Sequence, residues 1–183
     1  MTRTILFAIA GLILAGIIHI VAVLMVPTYA PADAWTRIEA ITEPDRFIEL
    51  SSDPREAAVV PMLDPLMRHI VCRYSLDGPP IRIRATLPGD FWSVALFNAR
   101  GENVYSINNT SIGGDRLDML ILTANQLAQL RENPPDDLEG MLVIEQTDED
   151  GFALIRAFVP DGSEAPEIQA GLAGARCEPQ TSF

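Results

Sequence analysis

The sequence predicts an α+β, β-rich protein: an N-terminal transmembrane helix followed by an antiparallel sheet or β-sandwich of about six or seven strands with short helices. Three observations carry this. Residues 4–26 contain no Asp, Glu, Lys or Arg. Beyond them, apolar segments of strand length recur between turns rich in Gly, Pro, Asn and Asp. Several of those segments alternate with a period of two.

The apolar run is TILFAIAGLILAGIIHIVAVLMV, and His19 is its one strongly polar residue. At ~1.5 Å rise per residue, about 20 such residues cross a hydrocarbon core. A cleavable signal peptide has a shorter apolar core, roughly 7–15 residues. Thr28-Tyr29-Ala30 is a passable cleavage site, but Pro31 after it disfavours cleavage, so an uncleaved anchor is expected. Arg3 precedes the span and the next basic residue is Arg37. That asymmetry places the N-terminus in the cytoplasm and the rest of the chain in the periplasm of a bacterium, single-pass in the inner membrane. The expected division is 1–28 for the cytoplasmic tip and anchor, 29–63 for a membrane-proximal helix and linker, and 64–183 for the periplasmic β-rich domain. Within the anchor, Ala8, Gly11, Ala15, His19 and Ala22 fall on one helix face. Small residues in a stripe let membrane helices approach closely, and a polar one bonds across. This marks a helix-packing face for a homodimer or a protein partner; plain lipid anchoring is the competing reading.

After the anchor, Trp35, Ile38 and Ile41 are spaced for a short amphipathic helix, lying near the membrane or packing on the domain. RFIEL (46–50) reads as a short strand. SSDPREAAVVPMLDP (51–65) is a turn-rich connection, and Asp64-Pro65 suits the start of a brief helix through His69. IVCRYSL (70–76) is a strand and Asp77-Gly78-Pro79-Pro80 a turn. IRIRAT (81–86) alternates strictly, with Ile81, Ile83 and Ala85 on one face and Arg82, Arg84 and Thr86 on the other. FWSVALFN (91–98) is apolar on both faces, so it is covered on both sides. Its hairpin partner, ENVYSIN, follows a turn in which Gly101 suits a positive φ. NNTSIGG (108–114) is a loop and RLDMLIL (116–122) a strand. Thr123 and Gln126 form a capping box for a helix through Arg131. MLVIEQT (141–147) and FALIRAFV (152–159) read as a second hairpin, and residues 164–176 as a final helix.

Composition excludes several chemistries. All 13 basic residues are arginine, so no lysine serves a P-loop, a Schiff base or general-base catalysis. A net charge of −12 argues against nucleic acid and anionic headgroups as partners. Cys72 and Cys177 both lie on the side assigned to the oxidising compartment and are expected to form a disulfide. No metal site is expected: QTDEDG (146–151) lacks the EF-hand closing glutamate, and Asp136, Asp137 and Glu139 read as a solvated loop. There is no Gly-x-Ser-x-Gly, and His69 is the one histidine beyond the anchor. No catalytic residue and no cofactor is assigned. The aromatic run Phe91, Trp92, Phe97 and Tyr105 reads as core packing more than as a ligand groove. Tyr105, Asn108, Asn109, Arg82 and Arg84 are the candidates for contact with a ligand or partner.

Three pieces carry a family resemblance: Cys72-Arg73-Tyr74 in a strand, Pro80-Ile81-Arg82-Ile83, and Phe91-Trp92-Ser93-Val94 leading into a hairpin. The segments GGDRLDMLILTANQLAQLRE and ALIRAFVPD extend it. The chain resembles small membrane-anchored members of the domain-of-unknown-function 1254 family of bacterial envelope proteins. Larger relatives have a Gly-Arg-Tyr-Tyr-like motif where this chain has Gly89-Asp90-Phe91-Trp92, and carry a second domain that this chain lacks. The resemblance implies a membrane-attached envelope protein of unassigned biochemistry and supplies no catalytic residue; the expected function is action through protein contacts in the cell envelope. A small-metabolite domain using the aromatic sheet face is the alternative.

Overall fold

The computed structural model describes residues 2–29, 34–51, 60, 62–132, 134, 138 and 140–181. The turn-rich connection at 52–59, the Ala30–Pro31 step and the acidic residues Asp136, Asp137 and Glu139 lie outside them. α1 (Thr2–Tyr29) is one continuous helix. Its segment Thr2–Val26 is long and apolar enough to cross a membrane, properties that a signal sequence shares.

Residues 34–183 form a separate compact unit. It includes α2 (Ala34–Glu39) and β1 (Phe47–Leu50), which the sequence pattern set apart as membrane-proximal. The chain continues through β2 (Met67–Ser75), β3 (Ile81–Thr86), β4 (Trp92–Asn98), β5 (Asn103–Asn108), α3 (Asn109–Ile112) and β6 (Arg116–Thr123). Then come α4 (Ala124–Glu132), β7 (Leu142–Gln146), β8 (Asp150–Phe158), α5 (Ala165–Ala173) and β9 (Arg176–Pro179). The strands make two sheets, β1-β2-β8-β4-β5 and β7-β6-β3-β9.

The core lies between the sheets. Ile70, Cys72 and Tyr74 of β2, Trp92, Val94 and Leu96 of β4, and Ala153, Ile155 and Ala157 of β8 meet Ile81 and Ile83 of β3 and Leu117, Met119 and Ile121 of β6. This is the β-sandwich predicted from alternation. The opposite face of the first sheet is covered by α2: Ile38 packs with Leu50, Val71 and Phe152, and the rings of Phe97 and Phe152 stack at 4.9 Å. Hence β4 is buried on both sides, as its two apolar faces require. The opposite face of the second sheet is half covered, because Leu130 of α4 packs on Leu120 and Leu122 of β6.

Local signals were read correctly where the partner is a sequence neighbour. Thr123 N donates to Gln126 Oε1 at 2.8 Å and Gln126 N to Thr123 Oγ1 at 3.4 Å, closing the capping box of α4. Gly101 has φ +74° at the β4–β5 turn. The structure corrects three other expectations. Asp64-Pro65 starts no helix: Leu66 N donates to Asp64 Oδ1 at 2.9 Å in an Asx turn, and β2 begins at Met67. The final helix expected over 164–176 ends at Ala173, and Arg176, at its expected last position, begins the unforeseen strand β9. β7 and β8 are not a hairpin. β7 lies parallel to β6, with α4 as the crossover, while β8 sits in the other sheet between β2 and β4. Burial explains the split. β8 buries apolar residues on both faces, with Arg156 exposed toward one end, and takes a central place, whereas β7 exposes Val143 and Glu145 and takes an edge.

α5 presses into the sandwich through Ile168 and Leu172. A Cβ at Gly171 would lie 2.6 Å from Pro88 Cδ and 2.8 Å from the Thr86 carbonyl oxygen, so only glycine permits this approach. The next turn delivers β9 to β3, and Cys177 of β9 bonds to Cys72 of β2 with Cα atoms 6.5 Å apart. The disulfide therefore ties one sheet to the other.

Candidate functional site

The residues singled out from sequence fall into two groups on different sheets. Tyr105, Asn108 and Asn109 lie at the β5 end of the first sheet, and Arg82 and Arg84 on β3 of the second. In the first group the roles are local. Asn108 is the N-cap of α3, its Oδ1 accepting from Ser111 N at 3.0 Å. Asn109 Nδ2 donates to the Asp90 carbonyl at 2.9 Å and pins the following loop. Tyr105 is half-buried against the core and Trp92 is fully buried in it. Trp92 is thus core, and Tyr105 and Phe97 are partly buried against the two core clusters.

Arg82 is not presented to solvent, contrary to its outward position in the alternation. It is 7% exposed. Its Nε and Nη2 donate to the two carboxylate oxygens of Asp118, both at 2.9 Å. The fork geometry of guanidinium on carboxylate makes such a pair strong and directional. Arg84 is half-exposed and pairs with Glu178 of β9. The pairing is crossed. Asp118 stands opposite Arg84 in register yet bonds Arg82, and Glu178 stands opposite Arg82 yet bonds Arg84. Two more arginines, missed in the sequence, share this face: Arg116 at the start of β6 and Arg176 at the start of β9. The outward alternation Arg116-x-Asp118 was a readable signal for the first. Nothing in the local pattern marks Arg176, which lies at the end of the expected final helix and begins β9 in the structure.

Arg84, Arg116 and Arg176 line one concavity of about 440 Å³, with Thr86 and Gly174 beside them. Arg176 is held there by Nη1 bonds to the carbonyls of Ala173 and Ala175, at 3.3 and 3.0 Å, at the C-terminal end of α5. Arg116 Nη2 reaches Asp118 only at 3.7 Å. A second concavity, about 510 Å³, lies between β1, α5 and β9 and is of mixed charge, including Arg46, Glu49 and Glu178. A third, about 350 Å³, is formed by Gly89, Gly113, Gly114 and Asn109 beside Trp92. Among the described residues there is no group of three or more His, Cys, Asp or Glu side chains placed to hold a metal ion.

His69 lies on the outer face of the first sheet, opposite Arg156 in register, and is buried. Burial lowers its pKa from 6.5, and the Arg156 charge adds to this, while Asp64 and the Met67 backbone oppose it. A folded pKa below the unfolded value means the unfolded chain takes up the proton first. Stability is then complete above pH 6.5 and falls as pH drops from there toward the folded pKa. Denaturant midpoints measured across this range should decline with acid in the native chain, and H69N should flatten that part of the curve. An unchanged slope would mean that His69 is hydrated in the native state.

A family model described as "Protein of unknown function (DUF1254)" matches residues 49–179. Among solved structures, the VPA0106 protein from Vibrio parahaemolyticus aligns with a TM-score of 0.62 at 8% identity, covering 81% of this chain and 34% of that one. A putative uncharacterized protein from Burkholderia cenocepacia aligns with a TM-score of 0.41 at 16% identity, over 62% of this chain and 31% of that one. The first of these shares the fold. The present chain spans about a third of the length of either. No curated protein matches it.

Proposed function

The chain belongs to the DUF1254 family, and from that premise we propose that it is a single-pass inner-membrane protein whose β-rich domain faces the periplasm and acts through protein contacts in the cell envelope, without catalysis of its own. The observation that carries the reading is the Cys72–Cys177 bridge, which joins the two sheets at the centre of the domain. Disulfides of this kind persist in oxidising compartments. An apolar helix preceded by Arg3 supports the same side for the domain. The anchor stripe of Ala8, Gly11, Ala15, His19 and Ala22 suits contact with a second copy or with a partner's membrane helix.

The test is made in native membranes. Alkaline phosphatase fused after residue 183 should be active, and a cytoplasm-dependent fluorescent reporter at the same place should be dark. The reverse pattern would overturn the orientation. Crosslinking should recover a dimer or a defined hetero-complex that weakens in the Gly11→Leu, Ala15→Leu variant while the domain stays folded. Recovery of monomer alone would overturn the contact role.

A further inference from the structure

We propose that the concavity bounded by Arg84, Arg116 and Arg176 binds a small, multiply charged oxyanion. Three arginines line it on a chain whose net charge is −12. Such a grouping is costly in the free protein. Arg84 and Arg176 stand directly opposite each other in the β3–β9 register, an arrangement of like charges that destabilises a sheet. The local carboxylates do not cancel it. Asp118 gives both oxygens to Arg82, and Glu178 is taken by Arg84. Four arginines thus share two carboxylates on this face, leaving a local excess of two positive charges. Among the described residues, no acidic side chain lines the concavity itself.

Two of the three are also held in place before any ligand arrives. Arg176 is fixed by the two carbonyls at the end of α5, and Arg84 by Glu178, so little ordering remains for binding to supply. The floor is small because Gly171 lets α5 close on β3 and Gly174 follows it. Guanidinium stays charged at every physiological pH and presents its N–H donors in a planar fork that matches phosphate and carboxylate oxygens. Thr86 adds a hydroxyl at the rim. A singly charged ligand would leave charge excess behind, whereas a di- or trivalent one matches it.

The probes are inorganic pyrophosphate and citrate, titrated by calorimetry into the full chain in phosphatidylcholine nanodiscs. Saturable binding that weakens with added salt is expected for at least one of them. Arg116→Gln and Arg176→Gln should each weaken it by about tenfold, and Arg46→Gln, just before β1 and outside the concavity, should leave it unchanged. Arg116 is 77% exposed, so its variant keeps the fold if Arg176→Gln does not. Preference for pyrophosphate or citrate assigns the phosphate or carboxylate class. Binding that disappears in nanodiscs containing phosphatidylglycerol assigns the site to a lipid headgroup as the source of the phosphate. No saturable binding of either probe, or equal loss in all three variants, overturns the site.

Discussion

Removing the Cys72–Cys177 bridge should cost the domain about 4–5 kcal/mol, a large share of the roughly 5–15 kcal/mol that folded domains have. The two cysteines are 105 positions apart, so the bridge removes a large loop-closure entropy from the unfolded chain. It also acts at a thin joint. β9 is paired with β3 over four register positions, Ile81↔Pro179 to Arg84↔Arg176, and is the edge strand of its sheet among the described residues. Without the bridge, β9 holds to the sandwich by that short ladder and by α5. Both cysteines are buried in the inter-sheet core, so alanine is the better replacement, because it buries no hydroxyl. Denaturant midpoints of native and Cys72→Ala, Cys177→Ala protein should differ accordingly, and hydrogen exchange in β9 and α5 should rise more than elsewhere. A loss below about 1 kcal/mol would show that the loop is already restrained in the unfolded state.

The second large effect is expected at Arg82. Its side chain is 9% exposed and that of Asp118 11%, and two bonds of 2.9 Å join them. Arg82→Met would leave the carboxylate nearly buried, with Arg116 at 3.7 Å as a distant counter-charge. Breaking one side of such a pair costs about 3–5 kcal/mol, since the remaining charge is desolvated without compensation. The double variant Arg82→Met, Asp118→Leu should recover most of the loss, because apolar groups of similar size remove both penalties. Arg84→Met serves as the contrast. The Arg84–Glu178 pair is about half-exposed on both sides, and its loss should cost no more than about 1 kcal/mol. If Arg82→Met and Arg84→Met were equally mild, the Arg82–Asp118 pair would have to be solvated, and the outer face of β3 would be a uniform charged surface.

These two positions also show where sequence stops. The alternation of IRIRAT placed Arg82 and Arg84 on one face, and that is where they are. Alternation carries no information on what stands opposite. Asp118 comes from β6 and Glu178 from β9, 36 and 94 positions away from their partners. Those neighbours decide that one arginine is buried and the other half-exposed. The same holds for Asn108 and Asn109. Their type and loop position marked them as candidates, yet a cap and a single bond to Asp90 occupy them.

By itself the sequence determined the features set by neighbours along the chain. These are the apolar helix of residues 4–26, the capping box at Thr123 and Gln126, the Gly101 turn, the β4–β5 hairpin and the two-sided burial of β4. Each follows from residue spacing, backbone stereochemistry or local hydrogen bonding. Only the tertiary structure decided that β7 and β8 part company, that residues 176–179 become a strand, and that four arginines gather on one face. The short turn between β7 and β8 is compatible with a hairpin or with a passage between sheets. Long-range burial chose, because a strand apolar on both faces is stable only between two others.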